Sequence, residues 1–233
     1  MYTSYAIILG GGIGSRMASP IPKQLMTLKG LPVIMHSMKA FYAHRPQTAI
    51  ILVIHPDFIG QWKKMCSEYK FSIPHHVIEG GDTRFHSVLN GLHFIWQNKE
   101  VLEIGDDPVI AIHDGVRPLI SADLIEKAYL TAFTHGSAVP AVVSTDSVRL
   151  ADSKGTSLAI DRNTVRLVQT PQVFRSSILQ KAYGQGFDPS FTDDASVVEK
   201  SGYPIRIIEG DTRNIKVTYP IDLVIADKLI ELD

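Results

Sequence analysis

Ala6-Ile7-Ile8-Leu9-Gly10-Gly11-Gly12-Ile13-Gly14-Ser15-Arg16-Met17, with Pro22-Lys23-Gln24 close behind, is the stretch on which the reading of this chain turns. An apolar run of the kind a buried strand shows ends in four glycines over five positions. Glycine has no Cβ, so such a backbone can approach a ligand closely, and its successive N–H groups can form a concave nest for anions. Two cations follow, Arg16 and Lys23, on a segment that Pro20 and Pro22 keep from becoming regular helix. A strand, a cradle of amides and two positive charges suit a polyphosphate. A plain strand-to-loop turn is the alternative. The dinucleotide fingerprint G-x-G-x-x-G fails, because the third glycine is Ser15 or Met17 in the two possible frames. The Walker pattern fails as well, since no Gly-Lys-Ser/Thr follows.

Composition narrows the classes. With 233 residues the chain can bury a sizeable core, and 45% hydrophobic with 20% charged residues is ordinary for a soluble globular protein. The formal net charge is −1 and no Lys/Arg block appears, so a nucleic-acid partner has no electrostatic footprint. The single cysteine, Cys66, leaves no internal disulfide and no multi-cysteine metal site. There is no basic n-region at the start, and the longest apolar run, 49–54, is far too short to span a bilayer. A cytoplasmic enzyme or binding protein with no membrane partner is the expectation.

Outward from the loop, strand-like and helix-like segments alternate. Helices are expected over 31–43, 58–69, 83–97 and 122–133, and buried strands over 49–54, 76–78 and 109–112. This alternation argues for an α/β fold with a mostly parallel sheet covered by helices on both faces. Near residue 137 the rhythm changes to short extended pieces, 138–143, 147–150 and 158–161, which read as a hairpin arm at about 137–162. Such an arm needs something to pack on, either its own sheet or a partner subunit. Helices near 176–182 and 193–200, strands over 205–208 and 215–217, and a last helix capped by Thr218 with Pro220 in its first turn complete the expectation. One domain over 1–233, with an arm, is the reading.

Ligands of open α/β sheets bind beyond the carboxyl ends of strands, so polar residues just after each apolar run are the candidates. They are the glycine loop with Arg16 and Lys23; Glu79-Gly80-Gly81-Asp82-Thr83-Arg84 with Ser87; His113-Asp114-Gly115-Val116-Arg117; Thr192-Asp193-Asp194; and Asn214-Ile215-Lys216. Cations, a carboxylate and hydroxyls on one sheet edge look like a single site for a phosphorylated ligand with a metal.

The G-G-x-G-x-R-M loop followed by P-K-Q resembles the nucleotidyltransferases that activate sugar or polyol phosphates. GGGIGSRM, PKQ, EGGDTRFHSV, HDGVRP, IDRN, QTPQVF, TDDAS and NIKVT, in that order over nearly the whole chain, resemble the 2-C-methyl-D-erythritol 4-phosphate cytidylyltransferases. The resemblance implies a Rossmann-like nucleotidyltransferase core, a protruding β-arm and a homodimer in which the arm reaches the partner's site. It implies attack by a methylerythritol phosphate oxygen on the α-phosphorus of CTP, with Mg²⁺, releasing pyrophosphate. A phosphate monoester is mostly a dianion near neutral pH, so no general base is needed.

By the same resemblance, Arg16 and Lys23 stabilise charge on the nucleotide phosphates. The loop glycines Gly10, Gly11 and Gly12 cradle CTP, and Gly81, Asp82 and Ser87 read its base. Gly115 and Arg117 belong to the same CTP set, and Asp114 helps hold Mg²⁺. Lys216 and Arg162 hold the methylerythritol phosphate, Arg162 from the other subunit's arm, with Ser147, Thr170 and Thr192 near that substrate. Plainer readings stand beside these: Asp82 as a helix cap, Asp193 and Asp194 as helix-N-terminal acids, His113 as structural, Arg117 paired with a carboxylate.

Two departures from the family pattern stand out. Ser147 follows Asp146 where a threonine is expected, and Gly10-Gly11 stands where many members have alanines. The loop also resembles the ribitol-5-phosphate cytidylyltransferases, the alternative reading; Asp161-Arg162-Asn163 and Asp194-Ala195-Ser196 favour the methylerythritol phosphate group. A non-catalytic nucleotide-binding module is disfavoured by the presence of Arg16, Lys23, Asp114 and Lys216 together.

Overall fold

The computed structural model of the protein describes residues 2–12, 22–98, 102 and 105–231. In chain order, β1 (Ser4–Gly10) leads through the small hairpin of β2 (Thr27–Leu28) and β3 (Leu31–Pro32) into α1 (Val33–His44). Next come β4 (Ala49–Ile54), α2 (Ile59–Glu68), β5 (His76–Glu79), α3 (Arg84–Gln97), β6 (Val109–Asp114) and α4 (Ala122–His135). Then β7 (Ser137–Val143), β8 (Val148–Ala151), β9 (Ser157–Ile160), β10 (Arg166–Val168) and β11 (Gln172–Arg175) follow. The chain closes with α5 (Ser176–Tyr183), α6 (Asp194–Lys200), β12 (Ile207–Glu209) and α7 (Pro220–Ile230).

Eight strands make one sheet in the order β10-β7-β11-β6-β1-β4-β5, with β12 paired to β7. The half that carries β6, β1, β4 and β5 is parallel, while β11 runs antiparallel to both β6 and β7. Both faces are covered, which is why the strands are apolar at successive positions. Ala6, Ile8, Ile50 and Leu52 pack with Met38 and Phe41 of α1 and Ala128 of α4; Ile7, Ile51, Val53 and Ile112 pack with Val88 and Leu92 of α3 and Leu179 of α5. No helix among the described residues is long and apolar enough to cross a membrane.

Five sequence expectations need correcting. The segment 138–143 is not arm: it is β7, buried through Ala141 and laddered to β11, β10 and β12. Pro140 sits where pairing with β11 ends at Ala138 and pairing with β10 begins at Ala141, so its missing N–H removes no ladder bond on that side. The projecting part is the two-stranded β8–β9 hairpin, with Asp152 Oδ1 accepting from Lys154 and Thr156 N–H and Gly155 at φ +83°. Residues 215–217 form no strand; Val217 N–H donates to Val116 C=O and the Val217 side chain is buried beside Val116. The cap of α7 is Tyr219 rather than Thr218, because Asp222 in the first turn reaches back to accept from both backbone N–H groups. Thr83, not Asp82, caps α3, and the strand expected over 205–208 lies at Ile207–Glu209.

Candidate active site

From β1 the chain moves outward to β4 and then β5, and only afterwards returns to place β6 on the other side of β1. The loops leaving β1 and β6 therefore diverge and leave a crevice between them, the place where open α/β sheets bind ligands. A cavity of about 330 Å³ lies there. Its walls are the glycine turn after β1, Lys23 and Gln24, the Gly81–Arg84 turn with Ser87, Asp114 and Val116 after β6, and Lys216.

The glycine turn is held from behind by a residue the sequence reading left without a role. Gln24 is buried, and its Nε2 donates to Gly10 C=O at 2.6 Å and Gly12 C=O at 3.0 Å. Its signal was position alone, immediately after Lys23. The glycines themselves serve different ends. A Cβ on Gly10 would lie 2.7 Å from Ile34 Cδ1 of α1, so a side chain here would need the end of Ile34 to move. Among the described residues, Gly11 has only Ser87 Oγ at 3.8 Å and Gly12 has nothing within 4 Å, so these are the two positions left open to a ligand by those residues. At Gly115 a Cβ would meet Leu9 C=O at 2.9 Å, a packing demand.

Across the cavity, Ser87 Oγ accepts from Gly81 N–H at 3.1 Å and donates to Gly81 C=O at 3.3 Å, fixing the turn after β5. A Cβ on Gly81 would fall 2.5 Å from His86 Cβ and 3.0 Å from His86 C. Gly81→Ala is therefore expected to lower stability by about 1–3 kcal/mol and to displace this wall, whereas Gly12→Ala leaves stability within about 0.5 kcal/mol. Thermal melts of the two variants side by side check the contrast.

The floor is a cluster of charges around Asp114, the last residue of β6. Lys216 Nζ lies 2.8 Å from Asp114 Oδ2, Arg117 Nε 3.8 Å from the same oxygen, and Arg84 Nε 3.8 Å from Oδ1. Burial alone would raise the Asp114 carboxyl; Arg84, then Lys216 and Arg117, overcome it and hold the group well below the usual carboxylate range. Arg84 is itself clamped by Asp194, with Nη1–Oδ1 at 2.8 Å and Nη2–Oδ2 at 2.6 Å. Tyr183 donates its hydroxyl to the same Asp194 at 2.7 Å. Asp193, expected as a helix-N-terminal acid, is the N-cap of α6, accepting from Ser196 N–H within a capping box. Asp194 is more than a helix-terminal acid: it is fully buried and exists as the counter-charge of Arg84, a pairing across 110 residues that local pattern could not announce.

Behind Asp114 runs a chain of buried hydrogen bonds. Burial pushes His113 down to about 4, so its ring is neutral at pH 7. It donates through Nε2 to Arg117 C=O at 3.2 Å and accepts at Nδ1 from Thr170 Oγ1 at 3.2 Å. Thr170 Oγ1 in turn accepts from Asp114 N–H at 3.0 Å. Arg117 Nη1 donates to Asn214 C=O, and Asn214 Nδ2 donates to Thr170 C=O, both at 2.8 Å. The loops carrying Asp114, Thr170 and Lys216 are thereby tied into one unit.

Of the residues singled out from sequence, Gly10, Gly11, Gly12, Lys23, Gly81, Asp82, Ser87, Asp114 and Lys216 meet around the cavity. Gly115, Arg117 and Thr170 stand behind its wall and hold it. Thr192 faces a neighbouring hollow on the far side of Arg84, with Phe85, Phe187 and Phe191. Ser147 is exposed at the root of the arm, and Arg162 is exposed and donates to Thr145 C=O of its own arm at 2.9 Å. Arg16 lies outside the described residues.

Comparison with known proteins follows this geometry. The family model described as 2-C-methyl-D-erythritol 4-phosphate cytidylyltransferase matches residues 4–231. A relative of that name from Bacteroides fragilis is 43% identical over 225 residues, 97% of this chain and 98% of the relative. One from Azobacteroides pseudotrichonymphae is 43% identical over 232 residues, 99% of this chain and all of the relative. Among solved structures, the 2-C-methyl-D-erythritol 4-phosphate cytidylyltransferase of Francisella tularensis superposes with a TM-score of 0.77 at 28% identity, covering 97% of this chain and 99% of its own.

Proposed function

Since the chain belongs to the 2-C-methyl-D-erythritol 4-phosphate cytidylyltransferase family, we propose that the crevice between β1 and β6 is where its reaction takes place. The enzyme transfers the cytidylyl group of CTP to methylerythritol phosphate, giving CDP-methylerythritol and pyrophosphate. The observation that carries the site assignment is the convergence of an open glycine turn, Lys23, Lys216 and an ionised, buried Asp114 on one cavity.

The acceptor phosphate is a dianion near neutral pH and needs no base, so the residues act by position and charge. The amides of Gly11 and Gly12, with Lys23 beside them, receive the nucleotide's phosphates and stabilise the charge that develops as pyrophosphate departs. Ser87 holds the Gly81 turn against which the base lies. Lys216 draws the acceptor phosphate toward the α-phosphorus. Arg16 is assigned the same role by its match to the family's G-G-x-G-x-R-M signature.

Asp114 fits Mg²⁺: it is a hard oxygen donor kept ionised by its neighbours, and Mg²⁺ typically takes one or two carboxylates together with substrate phosphates and water. Among the described residues no group of three or more His, Cys, Asp or Glu could hold a metal, so the fit is to an ion carried in with the nucleotide. When bound, the ion would neutralise phosphate charge as the leaving group separates.

The arm supports a homodimer. Leu150 and Leu158 are 64% and 72% exposed on the β8–β9 hairpin, and Arg162 lies at its base outside its own chain's cavity. Replacing both leucines with aspartate is expected to yield monomers in sedimentation velocity; an unchanged sedimentation coefficient would rule out the arm as the interface.

Pyrophosphate release measured with CTP against methylerythritol phosphate and ribitol-5-phosphate tests the reading. Turnover with the first acceptor, little with ATP in place of CTP, and dependence on Mg²⁺ are expected. Turnover with ribitol-5-phosphate alone would replace the acceptor.

A further inference from the structure

We propose that Asp114 masks Lys216 in the ligand-free site, so that the acceptor phosphate gains its lysine only after Asp114 has been given another cation. The inference rests on the reading of the cavity above and adds a coupling between its two halves.

Three cations surround Asp114, and they are not equivalent. Arg84 is locked by its two-point pairing with Asp194, and Arg117 is buried and donates to Asn214 C=O. Both guanidinium Nε atoms stop 3.8 Å from the carboxylate. Lys216 comes closest, at 2.8 Å, and its side chain is 44% exposed against 11% for Asp114. Its stem belongs to the 215–217 segment, which has no strand ladder. Lys216 is therefore the cation that can leave, and Asp114 is the reason it stays.

An acceptor phosphate arriving at the empty site must compete with a carboxylate already in hydrogen-bond contact with the ammonium. The competition loses affinity equal to the free energy of the pair. With a divalent cation on its carboxylate, Asp114 would no longer hold the ammonium, and Lys216 Nζ would be free to turn to the acceptor phosphate in the cavity. By linkage, the nucleotide with its cation and the acceptor must then tighten one another's binding equally.

Calorimetric titration with methylerythritol phosphate, in the absence of nucleotide, tests the mask on the intact enzyme. Asp114→Asn is expected to bind it on the order of tenfold more tightly than wild type. Asp82→Asn, which changes the charge of the same cavity by the same amount without touching Lys216, is expected to change it by less than about twofold. Equal tightening by both variants would mean bulk charge alone is at work and would overturn the proposal. Wild type supplies a measurement that does not depend on any variant folding: a non-hydrolysable CTP analogue with Mg²⁺ should raise acceptor affinity by about tenfold, and no rise would overturn the mask. Pyrophosphate release by wild type separates the two ideas. Turnover without coupling leaves the reaction standing and removes the mask; absence of turnover with either acceptor removes the reading beneath it.

Discussion

Asp194→Ala is expected to destabilise the protein by about 3 kcal/mol, the low end of the range for breaking a buried ion pair by removing one partner. The low end applies because about a third of Arg84's side chain faces the cavity, where water screens it, while Asp194 is fully buried. Removal strands the Arg84 guanidinium, leaves the Tyr183 hydroxyl without its acceptor, and empties the space below α6. For a chain of this length the loss corresponds to a fall in melting temperature of roughly 6–12 °C. A thermal melt at neutral pH measures it. A fall under about 2 °C would mean that the pair is a surface feature and that Arg84 finds another partner. Asp194→Asn should recover part of the loss, since the amide oxygen can still accept from Tyr183 or from one arm of the fork.

Lys23→Ala is expected to lower kcat by roughly 10²–10³-fold, about 2.7–4 kcal/mol of transition-state stabilisation. Lys23 begins the short turn Lys23–Leu25, whose next residue, Gln24, pins the glycine loop and so sets where the lysine stands. Steady-state kinetics with CTP varied distinguishes the roles. A fall in kcat places the lysine at the developing charge, whereas a rise in KM for CTP with kcat intact would make it a ground-state anchor only.

Much of this was legible from the chain. The run Ala49–Ile54 is apolar at every position because β4 is buried on both faces, and the parallel half of the sheet follows from such runs alternating with amphipathic helices. Polar residues at the carboxyl ends of those strands did converge, because parallel strands put all such ends on one edge. What escaped the reading had its cause outside the local sequence. The short extended pieces around it made β7 look like arm, and its pairing with β10, β11 and β12 reveals a sheet strand. Arg84 and Asp194 are ordinary loop and helix residues until the fold brings them together. Thr170, expected near the acceptor, hydrogen-bonds the backbone of Asp114 from behind, a distinction of a few ångströms that no spacing rule encodes.

The contact between Gly10 and Ile34 bears on how this loop can be exchanged. A relative's turn with alanine at position 10 would arrive with one methyl group too many, aimed at Ile34 Cδ1 from 2.7 Å. The end of Ile34 would have to turn aside to receive it, so the helix side chain behind the loop, and not the ligand, sets how readily an alanine-bearing turn is accommodated.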